Sequence, residues 1–529
     1  MIQPAISAGD MIRRLALLTP MAVFGLVLVL SAVPTAAWAK TPAPVPGGGP
    51  WNLTLFHTND THSYFLPRPA TWRDDGKMVG GAIPLAWHLA DQRRTAAPDL
   101  LLDAGDFMTG NPVCLLEEDG VPGVAVARMM NGLGYDAGVV GNHEFDMGAD
   151  QIKKLAPYFD YPLFGGDIID EKGEPVFRRE PLIVEKGGLR IGIMGFSCDG
   201  MTEVVTAAKL DGLRMADQAK VARELAAELD AKTDLIIMIT HNGVEGDKEL
   251  ASQLKGAGID IIVGGHSHSR LKKPVLANGI LILQAGSKMT NLGRLDLQVA
   301  DDRVVSYDGR LIDLWSDGTF GDDKFNQMVT GYENQVMTEY GREIGTLAND
   351  LKKGRGEHNL GNWLADCLRA EAEADVALIN SGGIRKALNK GPITALDITE
   401  MLPFANNLVR LEISGAQLAA IIQQNANAGV NGKHGILQVS GVRYAYRSSA
   451  DGESAEVTAI SVGGKPLDLN QTYTVAMPDF VATMNDVYLQ IDLPPVDDLG
   501  LTLSTVVVAA VEKAGTVSAR IEGRITRTE

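Results

Sequence analysis

The chain has 529 residues, of which 45% are apolar and 22% are charged, and its formal net charge at pH 7 is -18. This length exceeds one ordinary domain, and this composition is typical of soluble globular proteins. The acidic balance argues against a nucleic-acid polymer as partner, because binding a polyanion needs basic patches. A small phosphorylated substrate is still compatible with it, since bound divalent cations set the sign of the field locally.

The N-terminus has the pattern of a secretory signal peptide over residues 1–39. Arg13 and Arg14 form a basic start, the run 21–33 is apolar, and Ala37-Trp38-Ala39 is a small-x-small cleavage site. A membrane anchor is the alternative, but the apolar run is shorter than the roughly 20 residues that a span needs. We therefore expect a periplasmic or secreted protein that keeps no membrane segment after signal removal. Both Sec and twin-arginine export stay open.

Residues 40–50 are rich in Pro and Gly, which is typical of a tether, and strand-like and helix-like patterns alternate from Trp51 onward. Short apolar runs bounded by Gly, Asp or Asn predict strands. The predicted strands are Leu53–His57, Leu100–Asp103, Leu189–Phe196, Leu235–Thr240, Ile259–Val263 and Ile280–Gln284. Helical spacing predicts a helix over 216–230. This alternation predicts a layered α/β domain over 51–318.

Apolar residues recur at helical spacing through the polar segment 322–342, which predicts a connecting helix within 319–345. A second, smaller α/β domain is predicted over 346–529. Its predicted elements are a helix Asn359–Ala372, strands Val376–Ile379 and Val409–Ile413, a helix from Ala416 and a strand region Leu437–Tyr446. We expect the connecting helix to act as a pivot between the two domains.

The three cysteines, Cys114, Cys198 and Cys367, are widely spaced and form no CxxC motif. One disulfide is an alternative in an exported protein. Buried free thiols are the better supported expectation.

Oxygen and imidazole side chains cluster directly after the predicted strands of the first domain. The motifs are Asp60-Thr61-His62, Asp103-Ala104-Gly105-Asp106, Asn142-His143, His241 and His266-Ser267-His268. Open α/β sheets bind ligands at the carboxyl ends of their strands. Donors without cysteine suit a pair of divalent metals, and Asp106 after a glycine could bridge them. The seven candidate metal ligands are Asp60, His62, Asp106, Asn142, His241, His266 and His268. A single structural metal is the alternative, but seven donors are too many for it.

His143 and Asp146 form a candidate catalytic pair three residues apart. A carboxylate at that reach can hold one imidazole nitrogen and orient the ring. The other nitrogen could then stabilise the transition-state oxygens or protonate the leaving alcohol.

These motifs resemble the periplasmic and extracellular 5′-nucleotidases of the metallophosphoesterase superfamily. The matching stretches are LFHTNDTHSY, LLDAGDFMTGN, GYDAGVVGNHEFDMG, ITHNG and GGHSHS. The resemblance implies Asp60, His62, Asp106 and His268 at one metal and Asp106, Asn142, His241 and His266 at the other. It also implies that His143 and Asp146 are the catalytic pair.

The second domain resembles the substrate domain of this family through NSGGIR, LPF, LQVSG and DF. The resemblance implies that Asn380 and Arg385 contact substrate, that Phe480 is one of two rings around a base, and that Asp486 binds ribose hydroxyls. Ile436 stands where the family has its second ring. Met484-Asn485 replaces a Gly-Gly, and Gly356 stands where an arginine is expected, with Arg355 one place off.

The sequence therefore predicts a two-domain, dinuclear phosphoesterase that hydrolyses nucleoside 5′-monophosphates or related phosphate esters through a metal-bridging hydroxide. One alternative is the same metal chemistry on UDP-sugars, 2′,3′-cyclic nucleotides or a protein-bound sulfur ester. Another is a non-catalytic protein that scavenges metal or nucleotide. The metals could be Zn, Mn, Co or Fe. The oligomeric state stays open.

Overall fold

The computed structural model describes residues 50–528, except for 71, 74, 319, 320, 322, 433 and 451. The predicted signal peptide and all but the last residue of the predicted tether lie outside the described residues. The described residues belong to one compact unit. Among them, no helix combines the length and the apolarity that a membrane span requires.

Two six-stranded sheets dominate the first part of the chain. In spatial order, the first sheet contains Arg303–Asp313, Asn291–Ala300, Trp51–Thr58, Asp99–Asp103, Ala137–Val139 and Leu163–Phe164. The second sheet contains Leu182–Lys186, Leu189–Gly195, Leu235–Ile239, Ile261–Val263, Ile280–Leu283 and Val275–Ala277. The central strands of each sheet are parallel. Their carboxyl ends therefore lie along one edge of each sheet.

The two sheets stack face to face because alternate side chains of each strand point to opposite sides. Leu55 and Ile237 belong to the core between the sheets, whereas Phe56 and Ile236, their chain neighbours, pack outward against helices. These outer helices are Ala82–Arg93, Val124–Leu133 and Ala149–Leu155 on one side and Gln218–Asp230 and Gly243–Gln253 on the other. The result is a four-layer helix–sheet–sheet–helix sandwich, which confirms the predicted layered α/β fold.

A long helix, Lys324–Tyr340, lies inside the segment 319–345 predicted as a connection. It begins at Asp323, whose side chain accepts a hydrogen bond from the backbone N–H of Asn326. Val329 and Val336 are buried in the core of the first part of the chain. The domain boundaries on either side of this helix stay predictions.

The second part of the chain is also α/β. Its five-stranded sheet has the order Leu437–Ser440, Val376–Asn380, Thr472–Pro478, Asn407–Ser414 and Asp497–Thr502. Helices Asn359–Glu371, Ala395–Met401 and Leu503–Ala514 cover one face, and Gly415–Asn431 covers the other. Smaller sheets contain Lys465–Pro466, Ala455–Val462, Val442–Ser448 and Ile525–Arg527, and then Gly391–Thr394, Glu343–Leu347 and Thr516–Val517.

The predicted strand region Leu437–Tyr446 is in fact two strands, Leu437–Ser440 and Val442–Ser448, which belong to different sheets. Gly441 separates them with φ +77°, a conformation that glycine adopts without strain, so the chain turns there. The prediction of buried free thiols is confirmed, since Cys114, Cys198 and Cys367 are all unpaired and buried.

Candidate active site

The seven candidate metal ligands lie together at the carboxyl edge of the sandwich, and we call them the donor cluster. Asp60, Asp106 and Asn142 follow parallel strands of the first sheet, whereas His241 and His266 follow parallel strands of the second. His62 and His268 extend the same loops. Because the ligands come from both sheets, the stacking of the sheets is what brings them to one place.

Unusual backbone conformations present the donor cluster. Five of its seven residues have left-handed φ values between +48° and +73°: Asp60, His62, Asp106, His266 and His268. Such values are strained for non-glycine residues and persist only where the surrounding structure enforces them. Two backbone hydrogen bonds do so here, from Asp60 N to Gly105 O (2.9 Å) and from His62 N to Asp106 O (2.9 Å).

Glycine is required where the ligand loops approach each other. A Cβ atom at Gly141 would collide with the carboxylate of Asp106, and one at Gly265 would lie 2.6 Å from Nδ1 of His241. Both positions lie beside a donor. The loops can therefore converge only because these residues have no side chain.

The donor atoms form two neighbouring groups. Nε2 of His268 lies 3.0 Å from Nε2 of His62 and 3.2 Å from Oδ1 of Asp60. On the other side, Nε2 of His241 lies 3.0 Å from Oδ2 of Asp106. Nδ1 of His266 lies 2.9 Å from Oδ1 of Asn142. Within the sets Asp60–His62–His268 and Asp106–His241–His266, all ligand atoms lie within 4.8 Å of one another, as ligands of a common cation would.

The hydrogen bonds of the imidazoles suit divalent metals. Nδ1 of His241 donates to the carbonyl of Ala104 (2.6 Å) and Nδ1 of His62 donates to that of Thr109 (3.0 Å). This tautomer leaves the lone pair of each Nε2 facing the carboxylates, which is the usual arrangement of metal-binding histidines. Nε2 of His241 is buried and lacks the alignment of a hydrogen bond. The residues present therefore fit divalent cations.

Burial and neighbouring charges shift the pKa of two histidines in the cluster. Burial opposes protonation of His241, but Asp106 and Asp60 outweigh it and raise the pKa of His241 to about 10. Burial, followed by the charge of Arg385, holds the pKa of His62 well below its usual range. The pKa values of these two buried histidines are thus shifted in opposite directions.

His143 and Asp146 are in contact, with 2.8 Å between Nδ1 and Oδ2. Burial works against the imidazolium, but Asp146 and Asp106 together raise the pKa of His143 above its ordinary value. Nε2 of His143 lies 3.9 Å from Oδ2 of Asp106. The ring is stacked on Phe404, with centroids 5.5 Å apart. The imidazole of His143 is therefore oriented beside the donor cluster, and its raised pKa favours the charged form.

A cavity of about 200 Å³ opens from the donor cluster toward the second part of the chain, and we call it the central cavity. From the first part it is lined by Asn142, His143, Asp146, Glu203, Val204, Val205, Thr206, Lys209 and His266. From the second part it is lined by Asn380, Gly382, Gly383, Arg385, Phe404, Asn406, Phe480 and Tyr488. Nη2 of Arg385 reaches 3.3 Å from Nε2 of His62, and its guanidinium carbon lies 5.8 Å from the centre of the Phe404 ring.

The structure brings together only part of the predicted substrate set. Asn380, Arg385 and Phe480 line the central cavity, and Oδ1 of Asn380 is buried without a hydrogen-bond partner. Ile436 is buried outside the lining, and Asp486 is exposed and lines a different cavity of about 280 Å³. The roles given to Ile436 and Asp486 stay predictions.

Sequence reasoning missed Phe404, Asn406 and Tyr488 as lining residues. For Phe404 a signal existed, since the matched stretch LPF contains it, but nothing in that stretch indicates that the ring stacks on His143. Tyr488 lies on the one-turn helix Asn485–Tyr488 and carried no signal. Its ring packs between those of His434 and Phe480, with centroid distances of 5.2 Å and 6.1 Å.

Comparison with known proteins agrees with both parts of the structure. Residues 53–270 match the family of calcineurin-like phosphoesterases, and residues 343–491 match the C-terminal domain of 5′-nucleotidases. Protein UshA of Yersinia enterocolitica is 27% identical over 94% of this chain and 96% of its own length. The trifunctional nucleotide phosphoesterase protein YfkN of Bacillus subtilis is 27% identical over 91% of this chain, which spans only 35% of YfkN.

A solved structure has the same architecture. The 5′-nucleotidase precursor of Thermus thermophilus is 28% identical and superposes with a TM-score of 0.80, covering 90% of this chain and 100% of that one. The match to calcineurin-like phosphoesterases precedes the long helix, and the match to the 5′-nucleotidase C-terminal domain follows it. Both matches lie in one compact unit. The chain belongs to the 5′-nucleotidase family of metallophosphoesterases, which are hydrolases acting on phosphoester bonds.

Proposed function

We propose that this chain is an exported, two-metal phosphoesterase that hydrolyses nucleoside 5′-monophosphates or related phosphate esters. The observation that carries the proposal is the convergence of seven donors from two sheets beside a cavity lined from both parts of the chain. Export rests on the signal-like segment 1–39, and the location is periplasmic or secreted.

Asp60, His62, Asp106 and His268 would hold one metal, and Asp106, Asn142, His241 and His266 would hold the other. When bound, a pair of divalent metals (Zn, Mn, Co or Fe) lowers the pKa of water and neutralises phosphate oxygens. The carboxylate of Asp106 lies between the two histidine groups, so it is the ligand that would be shared.

The side chains of the protein bind and orient the ester. His143, held by Asp146 and stacked on Phe404, keeps a positive charge next to the reacting phosphoryl group and stabilises its oxygens. Arg385 adds a second cation from the other side of the cavity. Phe480 and Tyr488 provide apolar surface for the leaving group, and Oδ1 of Asn380 accepts a hydrogen bond from it.

The test is a metal-supplemented substrate screen on the purified protein that starts near Lys40. After treatment with EDTA, the protein is assayed with Zn²⁺, Mn²⁺ or Co²⁺ on AMP, UDP-glucose, 2′,3′-cyclic AMP and bis-p-nitrophenyl phosphate. We expect AMP hydrolysis to fall by a factor on the order of 10³ without metal, because such metals contribute several kcal/mol to transition-state stabilisation. Elemental analysis without a transition metal would contradict the two-metal proposal.

The same metal chemistry on another substrate is the second candidate. The position of Ile436 outside the central cavity favours it, because one wall of a base sandwich is then missing. UDP-sugars, 2′,3′-cyclic nucleotides and a protein-bound sulfur ester are the alternatives. Cleavage of the diester alone in the same screen would rule out the name nucleotidase. A non-catalytic scavenger would not need the contact between His143 and Asp146.

A further inference from the structure

Lys288 contacts both sides of the site. It lies in the loop between the strands Ile280–Leu283 and Asn291–Ala300. Its backbone N–H donates to the carbonyl of Asp60 (2.7 Å), and its side-chain nitrogen donates to the carbonyl of Arg385 (2.9 Å). One residue thus connects the loop of a proposed metal ligand with the loop that carries the substrate arginine from the second part of the chain.

The conformation of Lys288 is held firmly. Lys288 and Met289 both have left-handed backbones, with φ +57° and +50°, which costs free energy unless the surroundings enforce it. The side chain is extended over the ring of Tyr64, 4.6 Å from Nζ to the centroid, and that ring is buried. Nζ therefore has an apolar and aromatic support on one side and the Arg385 carbonyl on the other.

The side chain of Lys288 is the described donor to the carbonyl of Arg385, and other groups hold the backbone next to it. Its own N–H donates to the carbonyl of Met401 (2.8 Å), and the side chain of Lys353 donates to the carbonyl of Ile384, one residue earlier. The side chain of Arg385 then reaches His62. A shift of its carbonyl would move the guanidinium away from the donor cluster.

We propose that Lys288 is a positioning residue for Arg385, so that the arginine meets the phosphoryl group only when the two parts of the chain are in the arrangement seen here. This proposal rests on the proposed function, because it assigns a role in phosphate binding. It does not depend on the charge of Lys288. Burial, followed by Arg68 and Arg385, lowers the pKa of Lys288 to about 7, and a neutral amine still donates to a carbonyl.

The test is a double-mutant cycle in the full-length enzyme with p-nitrophenyl phosphate, a monoester without a nucleoside. Lys288→Met keeps the length and apolar stem of the side chain but removes the donor. We expect its KM to rise about tenfold, because the hydrogen bond that holds the Arg385 carbonyl is lost, while kcat and metal content change little. Lys288→Arg restores a donor and should recover most of the loss.

The second arm distinguishes positioning from a general structural role. If Lys288 acts through Arg385, Lys288→Met should add almost nothing to the KM of Arg385→Met, because coupled residues are not additive. Lys273→Met, on the surface beside Asp308, is the matched control and should match the wild type. The inference would be overturned if the increases in KM of the two single variants multiplied in the double variant. A fall in metal content with unchanged KM would also overturn it. A wild-type enzyme that cleaves no monoester with any metal would instead overturn the proposed function.

Discussion

The donor cluster is fixed by its backbone, whereas the second part of the chain lines the central cavity with side chains whose positions depend on packing. Around the donor cluster, left-handed φ values and close contacts at glycines constrain the loops. In the cavity wall, Phe404 and Tyr488 are placed by the rings of His143, His434 and Phe480. The proposed metal ligands therefore depend on backbone conformation, whereas the proposed substrate contacts depend on side-chain packing.

The largest expected effect separates catalysis from metal binding at the donor cluster. In His143→Ala the donor cluster is untouched, so metal content should equal that of the wild type. Turnover should fall by a factor on the order of 10² or more, as expected for loss of a positioned acid–base group. Elemental analysis and steady-state kinetics on AMP measure the two quantities. Unchanged turnover would remove His143 from the mechanism.

His88→Ala is the matched control for that experiment. His88 lies on the helix Ala82–Arg93, and its Nε2 contacts only the carbonyl of Trp315 among the described hydrogen bonds. We expect no change in turnover beyond about twofold, because His88 neither belongs to the donor cluster nor lines the central cavity. A comparable loss in both variants would indicate a folding defect.

The second-largest expected effect concerns how the loops of the donor cluster are held together. Both oxygens of the buried Glu144 carboxylate accept backbone N–H groups, from Asp106 (3.0 Å), Met108 (3.0 Å) and Gly141 (2.6 Å). Glu144 thus joins the loop of Asp106 to the loop of Asn142. Glu144→Gln replaces one acceptor by a donor that faces an N–H group. Metal affinity should fall about 10- to 100-fold, the usual cost of removing such support, with kcat restored at saturating metal.

Titration of the chelated protein with Mn²⁺ measures this affinity. Glu245→Gln, on the surface beside Lys248, is the matched control and should leave it unchanged. Equal affinity in Glu144→Gln would mean that the backbone strain, not the carboxylate, holds the two loops together.

The same contrast explains what the sequence could predict. The clustering of Asp60, His62 and His266 could be predicted, because each stands in a short motif directly after a parallel strand. Glu144 stood in one of those motifs, but its partners are backbone N–H groups, which a sequence does not reveal. Strand and helix positions followed from periodicity, except at Gly441, where one predicted strand region divides between two sheets.

The cavity wall could be predicted only in part, because orientation is decided by tertiary packing. Asn380 ends the strand Val376–Asn380 and Arg385 lies on the loop that follows it, and that placement could be inferred. Tyr488 lines the cavity only because a one-turn helix points its ring between His434 and Phe480. The sequence could place Ile436 at the start of a strand, but it could not show that its side chain is buried.

A smaller effect would sharpen the description of the cavity wall. Phe480→Ala removes a ring that lines the cavity, and stacking on a base contributes roughly 1–3 kcal/mol, so the KM for AMP should rise about tenfold. Ile436→Ala should leave this KM within about twofold, because Ile436 lies outside the lining. Ribose 5-phosphate, which has no base, is the control substrate and should not distinguish Phe480→Ala from the wild type. A larger effect of Ile436 than of Phe480 would mean that substrate binds to a different arrangement of this wall.

The smallest expected effect concerns the free energy of unfolding and a buried carboxyl group outside the donor cluster. Asp247, on the helix Gly243–Gln253, is fully buried, and one carboxylate oxygen accepts from Thr240 (2.7 Å) while the other has no hydrogen-bond partner. Burial raises its pKa to about 7. The folded protein therefore keeps a proton there that the unfolded chain releases above about pH 4, so this contribution to stability is lost as pH rises toward 7.

Asp247→Asn keeps the acceptor for Thr240 and cannot ionise. Its free energy of unfolding relative to the wild type should rise between pH 5 and pH 7 by roughly 1 kcal/mol per unit and then stay constant, since one unit of pKa corresponds to about 1.4 kcal/mol. All other titrating groups are common to both proteins and cancel in the difference. Thermal unfolding of the chelated proteins at a series of pH values measures it. A difference that does not vary with pH would mean that Asp247 is already ionised in the fold. The positive charge favoured by the raised pKa of His241 would then offset the burial of Asp247.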